Sequence, residues 1–408
     1  MPLLRDKELS ATGTRFKVFP QPRFLEGFEK PEVVWVSPPA GTIKQGPSDD
    51  RMAVIDAVNK KPYDDFSWPP YTGITRPGPS PNADGHFDHL DEQSREFGAA
   101  HLYAVIRRVL DIWEGYFGRR IQWYFRDVQE RLELIPYVDW NNAHAGYGFL
   151  EAGYGKADSG ETHPYCLNFD VLAHEAGHMI VFSEVGIPDD DTLTAEFKAY
   201  HESSSDMVAL ISLLHFESFI DRLLEGCHGN LCAENELNRI AELSESDEIR
   251  KASHEKRMRD VADVSIPWNL LSQKELHEMG EPMTGAMFDI LVELFQEMLV
   301  ERSVITRELA DLAIRVPDNR QIAAAVEAGF DAAYRSNRTE FKDALIDARD
   351  FVGQRLARTW EEVSPHRLGF ANVAVKFLSA DRALTGAQYQ TIVKNCFLWR
   401  EIGFGFHR

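Results

Sequence analysis

The chain has few of the features that would assign it to a specialised class. Only 4 cysteines occur in 408 residues. Cys227 and Cys232 flank a short loop that could close as a disulfide or a small metal loop. With no further Cys/His pair at zinc-ribbon spacing, free thiols are the expected state. No apolar run reaches the length of a membrane-spanning helix. Met1–Glu8 has no apolar stretch of the kind a secretory signal needs, so a cytoplasmic protein is expected. Basic residues are also short: 44 Lys and Arg against 65 Asp and Glu give a net charge of −21. That excess argues against a nucleic-acid partner and against docking on an anionic membrane. No internal repeat is visible. What remains is ordinary: 44% apolar and 27% charged residues, enough for two or three packed subdomains.

Order along the chain is uneven. Residues 1–30 read as an irregular N-terminal arm. Short β-type runs follow at Val33–Val36 and Met52–Ile55, then a Pro/Gly-rich surface loop over 66–85. A wide apolar stripe from Ala100 to Phe117 predicts a long helix that Gly118 stops. Ile121–Phe125 and Leu132–Val138 read as strands. Asn141–Tyr147 and Leu150–Gly155 read as an edge strand and its return. From Asn168 onward the pattern is helical: about 168–185, 194–219, 283–300, 303–315, 319–335, 339–359, 367–379 and 385–398, with a charged, irregular excursion at 226–262. The expected fold is α+β. A β-rich lobe with one long helix (31–167) follows the arm, and an α-helical lobe (168–408) completes the chain.

The chemistry concentrates in Asp170-Val-Leu-Ala-His174-Glu175-Ala-Gly-His178. Residues i and i+4 share a helix face, so His174 and His178 can aim ring nitrogens at one metal ion. Glu175 is offset and can serve as a general base for a water there. Zinc suits this donor set, but an open site needs a third protein ligand. Glu184, ten residues after His174, falls on another face and reads as a solvated helix-end carboxylate. Tyr200-His201-Glu202-Ser203-Ser204-Ser205-Asp206 is the better source. Glu202 and Asp206 are also i and i+4, and apolar Met207, Val208, Leu210 and Ile211 follow directly. Buried carboxylates need a metal or a hydrogen-bonded partner. Glu202 is therefore the expected third ligand, with His201 as its competitor, and Asp206 the acceptor for the second ring N–H of a zinc histidine.

At this point the chain resembles the thermolysin-like metallopeptidases. The residues that carry the resemblance are Phe169–His178 as the zinc helix, Glu202–Asp206 as the E-x-x-x-D helix, Asn142-Ala143 with Gly153–Gly155 as the substrate edge strand, and Ala100–Tyr103 opening the long helix. It spans roughly residues 97–290. It implies a two-lobed zinc peptidase in which a peptide or protein substrate lies along Asn142 and Ala143. His277, within His277-Glu-Met-Gly-Glu281-Pro282, takes the role of donor to the transition-state oxyanion, and Arg257 (or Arg259) that of a substrate contact. Some features depart from the family pattern. Ser272 stands where the family has an aspartate before the histidine. Tyr200 is too near Glu202 to be the family's tyrosine. Leu213 replaces a calcium-binding glutamate, so the paired calcium site is not expected, and Asp170 reads as a helix-N-terminal carboxylate. Two other readings stay open: a zinc hydrolase acting on a small amide or ester, and a non-catalytic binding protein that keeps the fold.

Overall fold

The computed structural model describes residues 5–64, 66–156, 160, 162–233, 235–242, 248–252, 254–314 and 320–404. The arm is more ordered than its sequence suggests. A short helix α1 (Arg5–Leu9) leads into strand β1 (Gly13–Val18), which pairs antiparallel with β2 (Glu32–Pro39). Phe16 and Val18 are the reason: both are fully buried, and Phe16 stacks on Phe87 and Tyr103. β3 (Met52–Val54) follows, then α2 (Arg95–Phe117). Ser94 starts α2 by accepting from the Phe97 amide, and Gly118 ends it at φ 67°, a left-handed position that suits glycine.

A four-stranded mixed sheet is built from β3, β4 (Leu132–Ile135), β5 (Ala143–Gly146) and β6 (Phe149–Ala152) in the order β3-β4-β6-β5. β5 is antiparallel to β6 and forms one edge. A small ribbon of β7 (Tyr154–Lys156) and β8 (Thr162–Pro164) follows. The strand expected at 121–125 is instead irregular chain leading into turns at 124–128. Ile121, Trp123 and Phe125 are indeed all buried, so the alternation reports packing there without a hydrogen-bonded ladder.

Helices then dominate, as expected: α3 (Phe169–Glu184), α4 (Ala195–Leu213), α5 (Glu217–Gly226), and, after the antiparallel pair β9 (Arg239–Glu242) and β10 (Glu248–Lys251), α6 (Gln273–Glu301). Five more complete the described chain: α7 (Arg307–Ile314), α8 (Arg320–Ser336), α9 (Arg338–Glu362), α10 (Phe370–Thr385) and α11 (Gln390–Trp399). The expected helix at 194–219 is two helices broken at residues 214–216. The helix expected from residue 283 starts ten residues earlier. Ser272 and Glu275 form a capping box there, and the helix runs on through Pro282. One hydrophobic core joins the sheet, α2, the zinc-motif helix α3 and the C-terminal helices. Among the described residues no helix is long and apolar enough to cross a membrane, and all four cysteines are free.

Two glycines set the spacing of the central helices. A Cβ on Gly177 of α3 would lie 2.6 Å from the Ser205 Cα of α4, and one on Gly280 of α6 would lie 2.6 Å from the Ala199 carbonyl of α4. Both contacts are with backbone, so a side chain forces the helices apart. Gly177→Ala should cost about 1–3 kcal/mol, the range for overpacking a tight core, and denaturant titration of purified protein checks it.

A second prediction concerns acid stability. His101 of α2 is fully buried; its Nδ1–H donates to the Cys166 carbonyl (2.8 Å) and its Nε2 accepts from the Phe19 amide (3.0 Å). This bridge needs the neutral ring, and burial pushes its pKa down from 6.5 to about 4. Between those values the unfolded chain takes up a proton that the folded one refuses. Stability from this residue is therefore complete above about pH 6.5 and falls as the pH drops toward 4. Melting curves across that window should show a smaller acid loss in His101→Gln than in the parent.

Candidate metal centre

Helix α3 supplies the first three residues of the cluster. Asn168 caps its N-terminus, accepting from the Val171 amide at 3.1 Å, and Asp170 in the first turn accepts from Gln21 (3.2 Å). One and two turns further on, His174 and His178 lie on a common face with ring centroids 4.7 Å apart. A carboxylate oxygen of Glu175 and one ring nitrogen from each histidine lie within 4.8 Å of one another. His174 and Glu175 are buried.

Helix α4 crosses over this face and brings in Glu202. Its Oε2 lies 3.4 Å from His174 Nε2 and 3.7 Å from His178 Nε2. Two ligands held about 2.0–2.2 Å from a shared tetrahedral ion stand roughly 3.3–3.6 Å apart. The donor set and its spacing therefore fit zinc, with His174, His178 and Glu202 as the residues that would hold it. Burial alone would raise the Glu202 carboxyl; the surrounding imidazoles of His178, His174 and His277 outweigh it and hold the group well below the usual carboxylate range.

The outer nitrogens of both histidines are also engaged. His174 Nδ1 is 2.9 Å from Asp206 Oδ1, one turn beyond Glu202 on α4. His178 Nδ1 is 2.6 Å from His201 Nδ1 and 3.1 Å from Ser205 Oγ. His201 thus lies behind the cluster, nearly coplanar with His178 (7°). Burial pushes its pKa far down, with the neighbouring His178 adding to the effect. Its part in fixing His178 was not legible in sequence, because a residue adjacent to Glu202 in the chain reads as its rival and the helix sends the two side chains to different sides.

The serines explain how so polar a segment is buried. Ser203 and Ser205 donate to the carbonyls of Tyr200 and His201, and their small size admits α3 and α6 on either side. Tyr200 points away and accepts from Trp360 Nε1 (2.9 Å).

His277 arrives on the second turn of α6, not on a loop. Its Nδ1 lies 2.7 Å from the Gln273 carbonyl and its Nε2 3.1 Å from Glu202 Oε2. Both nitrogens face oxygen acceptors. The Gln273 carbonyl holds Nδ1, while Ser272 and Glu275 are used up in the capping box.

Asn142 and Ala143 sit at the start of edge strand β5, which packs against α3. The Asn142 carbonyl accepts from the Gly153 amide at 2.9 Å. Arg257 is placed elsewhere: its guanidinium lies over the Trp399 ring, 3.6 Å from the centroid. Arg259 pairs with Glu401. Glu184 is not solvated as expected but pairs through both oxygens with Arg119 (3.0 and 2.5 Å).

No family model matches the chain, and no curated protein matches it. Among solved structures it is similar to the precursor of protealysin, a metalloproteinase from Serratia proteamaculans, at 12% identity and a TM-score of 0.49 over 86% of this chain and 87% of that one. A likeness at that level adds nothing to the reading of the site, which rests on its own geometry.

The ligand set makes a direct prediction. Glu202→Ala should abolish stoichiometric zinc binding, whereas Asp206→Ala should weaken it about 10–100-fold while leaving the ligands in place. Metal analysis after dialysis, with chelator competition for the second variant, checks both; full zinc in Glu202→Ala would remove Glu202 from the set.

Proposed function

We propose that the protein is a zinc-dependent hydrolase of peptide bonds. The observation that carries this reading is the convergence of His174 Nε2 and His178 Nε2 on one oxygen of Glu202, with the Glu175 carboxylate beside them. Zinc, when bound by these three residues, supplies Lewis-acid polarisation and lowers the pKa of water.

The remaining work falls to the chain's own side chains. Glu175 accepts a proton from the attacking water and returns it to the leaving amine; a carboxylate in this position is a general base that a purely structural site would not need. Asp206 and His201 hold the two zinc histidines in the tautomer that turns their Nε2 lone pairs inward. His277 offers an N–H to the carbonyl oxygen as negative charge develops on it. Its ring is partly exposed and lies 3.1 Å from Glu202, on the same face of the cluster.

Edge strand β5 favours a peptide over a small amide or ester. It stands at the end of its sheet and packs against the helix that bears both histidines. An extended chain can add to such an edge through main-chain hydrogen bonds, placing a carbonyl near the metal. The Arg257 contact implied by resemblance has no part in this reading, because that side chain is stacked on Trp399.

Glu175→Gln keeps the size and polarity of the side chain and removes the base. It should retain zinc and lose hydrolysis of an unstructured protein by about 10²–10⁴-fold, the usual worth of general base catalysis. Comparing that substrate with short peptides and small amides tests the substrate class; turnover of amides alone would overturn the peptidase reading.

A further inference from the structure

A second polar cleft, sharing no residue with the histidine cluster, has a volume of about 690 Å³ and opens between β2, the loop that precedes β3, and α2. Three acids line its floor, and each accepts hydrogen bonds from within the fold. Asp49 accepts from the Arg51 and Met52 amides (both 2.8 Å) and from Tyr103 Oη (2.8 Å). Asp111 accepts from the Ser37 amide (2.7 Å), Ser37 Oγ (2.6 Å) and Arg107 Nη2 (3.1 Å). Glu114 accepts from the Ile121 amide (3.0 Å) and from Arg51.

The basic groups are in the opposite condition. Arg107 has a side chain only 4% exposed, yet its Nε and Nη1 make no hydrogen bond; Nη1 stands 3.7 Å from Asp49 Oδ2. Buried N–H groups of a guanidinium left without acceptors are costly. Nearer the mouth, Arg131 donates to Ser48 Oγ (2.9 Å), and the ammonium of Lys44 engages no side chain among the described residues. Arg120 pairs with Asp50 (3.2 Å), but both are well exposed, and such a pair is worth at most about 1 kcal/mol. Four cationic side chains converge on this cleft, matching in number the acids Asp49, Asp50, Asp111 and Glu114 that also line it; the buried donors of Arg107 that lack an acceptor distinguish it.

We propose that this cleft binds a small multivalent anion bearing phosphate or carboxylate groups. Arg131, Lys44 and Arg120 meet the charged groups at the mouth. Arg107 lies at the floor among Asp49, Asp111 and Glu114, where a ligand oxygen can take the acceptor position its Nε and Nη1 lack. Arginine and lysine suit both kinds of group through charge-assisted hydrogen bonds. The site is independent of the metal reading, since its residues belong to other elements.

Calorimetric titration of the zinc-loaded full chain tests this at fixed ionic strength. Inorganic phosphate, a sugar bisphosphate and tricarballylate serve as probes; all three are weak zinc chelators. Saturable binding to at least one is expected with a Kd below about 1 mM, with Lys44→Ala and Arg131→Ala each weakening it about tenfold. Preference for the bisphosphate or for the tricarboxylate identifies which group the cleft was built for. Both variants alter exposed residues, so folding and zinc content should match the parent. The double variant Lys44→Ala/Arg131→Ala should show no saturable heat. Absence of binding by the parent up to about 10 mM of each probe, or equal affinity in the double variant, would overturn the proposal.

Discussion

The site depends on how closely three helices approach one another. At Gly177 and Gly280 the backbones of α3 and α6 come so near to α4 that a Cβ would meet main-chain atoms at 2.6 Å. This places α4 between the other two and lets residues more than seventy positions apart converge. Glu202 meets His174 and His178 from one neighbour and His277 from the other. A carboxylate with two oxygens and a short stem has little reach, so the contact exists only because the helices touch. The serines of α4 serve the same end: they bond to their own backbone and leave little bulk between the helices.

That arrangement explains which parts of the site were legible in the sequence. His174, Glu175 and His178 are a local pattern, and so are Glu202 and Asp206; spacing of four on a helix places each pair on one face whatever surrounds it. The structure brings these residues together as the spacing implies. Features that depend on a crossing are not written locally. His201 follows Tyr200 and precedes Glu202 in the chain, but only the packing of α4 on α3 puts its ring edge to edge with His178. The position of His277 was misjudged for a different reason. The helix was expected only from residue 283, whereas the Ser272–Glu275 capping box begins it at Gln273. The cost of Pro282 in a helix interior is large in isolation, but Met279, Met283, Ala286 and Met287 are all buried on this segment and packing overrides the local preference.

The fold shows the same division. Strong periodicity found α2, α3 and the C-terminal helices, and a paired pattern found β5 with its return strand β6. Where alternation reflects burial without a ladder, as at Ile121, Trp123 and Phe125, the strand assignment fails. The N-terminal segment fails the other way. Phe16 and Val18 are too few to make a pattern, but they are completely buried against α2 and Phe87, which turns an apparently irregular arm into a paired strand.

The two histidines of the cluster are held by chemically different partners, and protons account for the difference. For Nε2 of each ring to present a lone pair inward, Nδ1 must carry the hydrogen. Asp206 accepts that hydrogen from His174 as an anion. His201 can accept it from His178 only through an unprotonated Nδ1, so its own proton must sit on Nε2, and its ring lies against Phe182 and Phe197, with centroids 3.9 and 5.7 Å away. A cationic His201 would have no lone pair to offer and would repel its neighbours. Burial among aromatic rings, which holds His201 neutral, is therefore what makes it usable as an acceptor. With Glu202 held as an anion nearby, a neutral partner for the second histidine also spares the cluster a further buried anion.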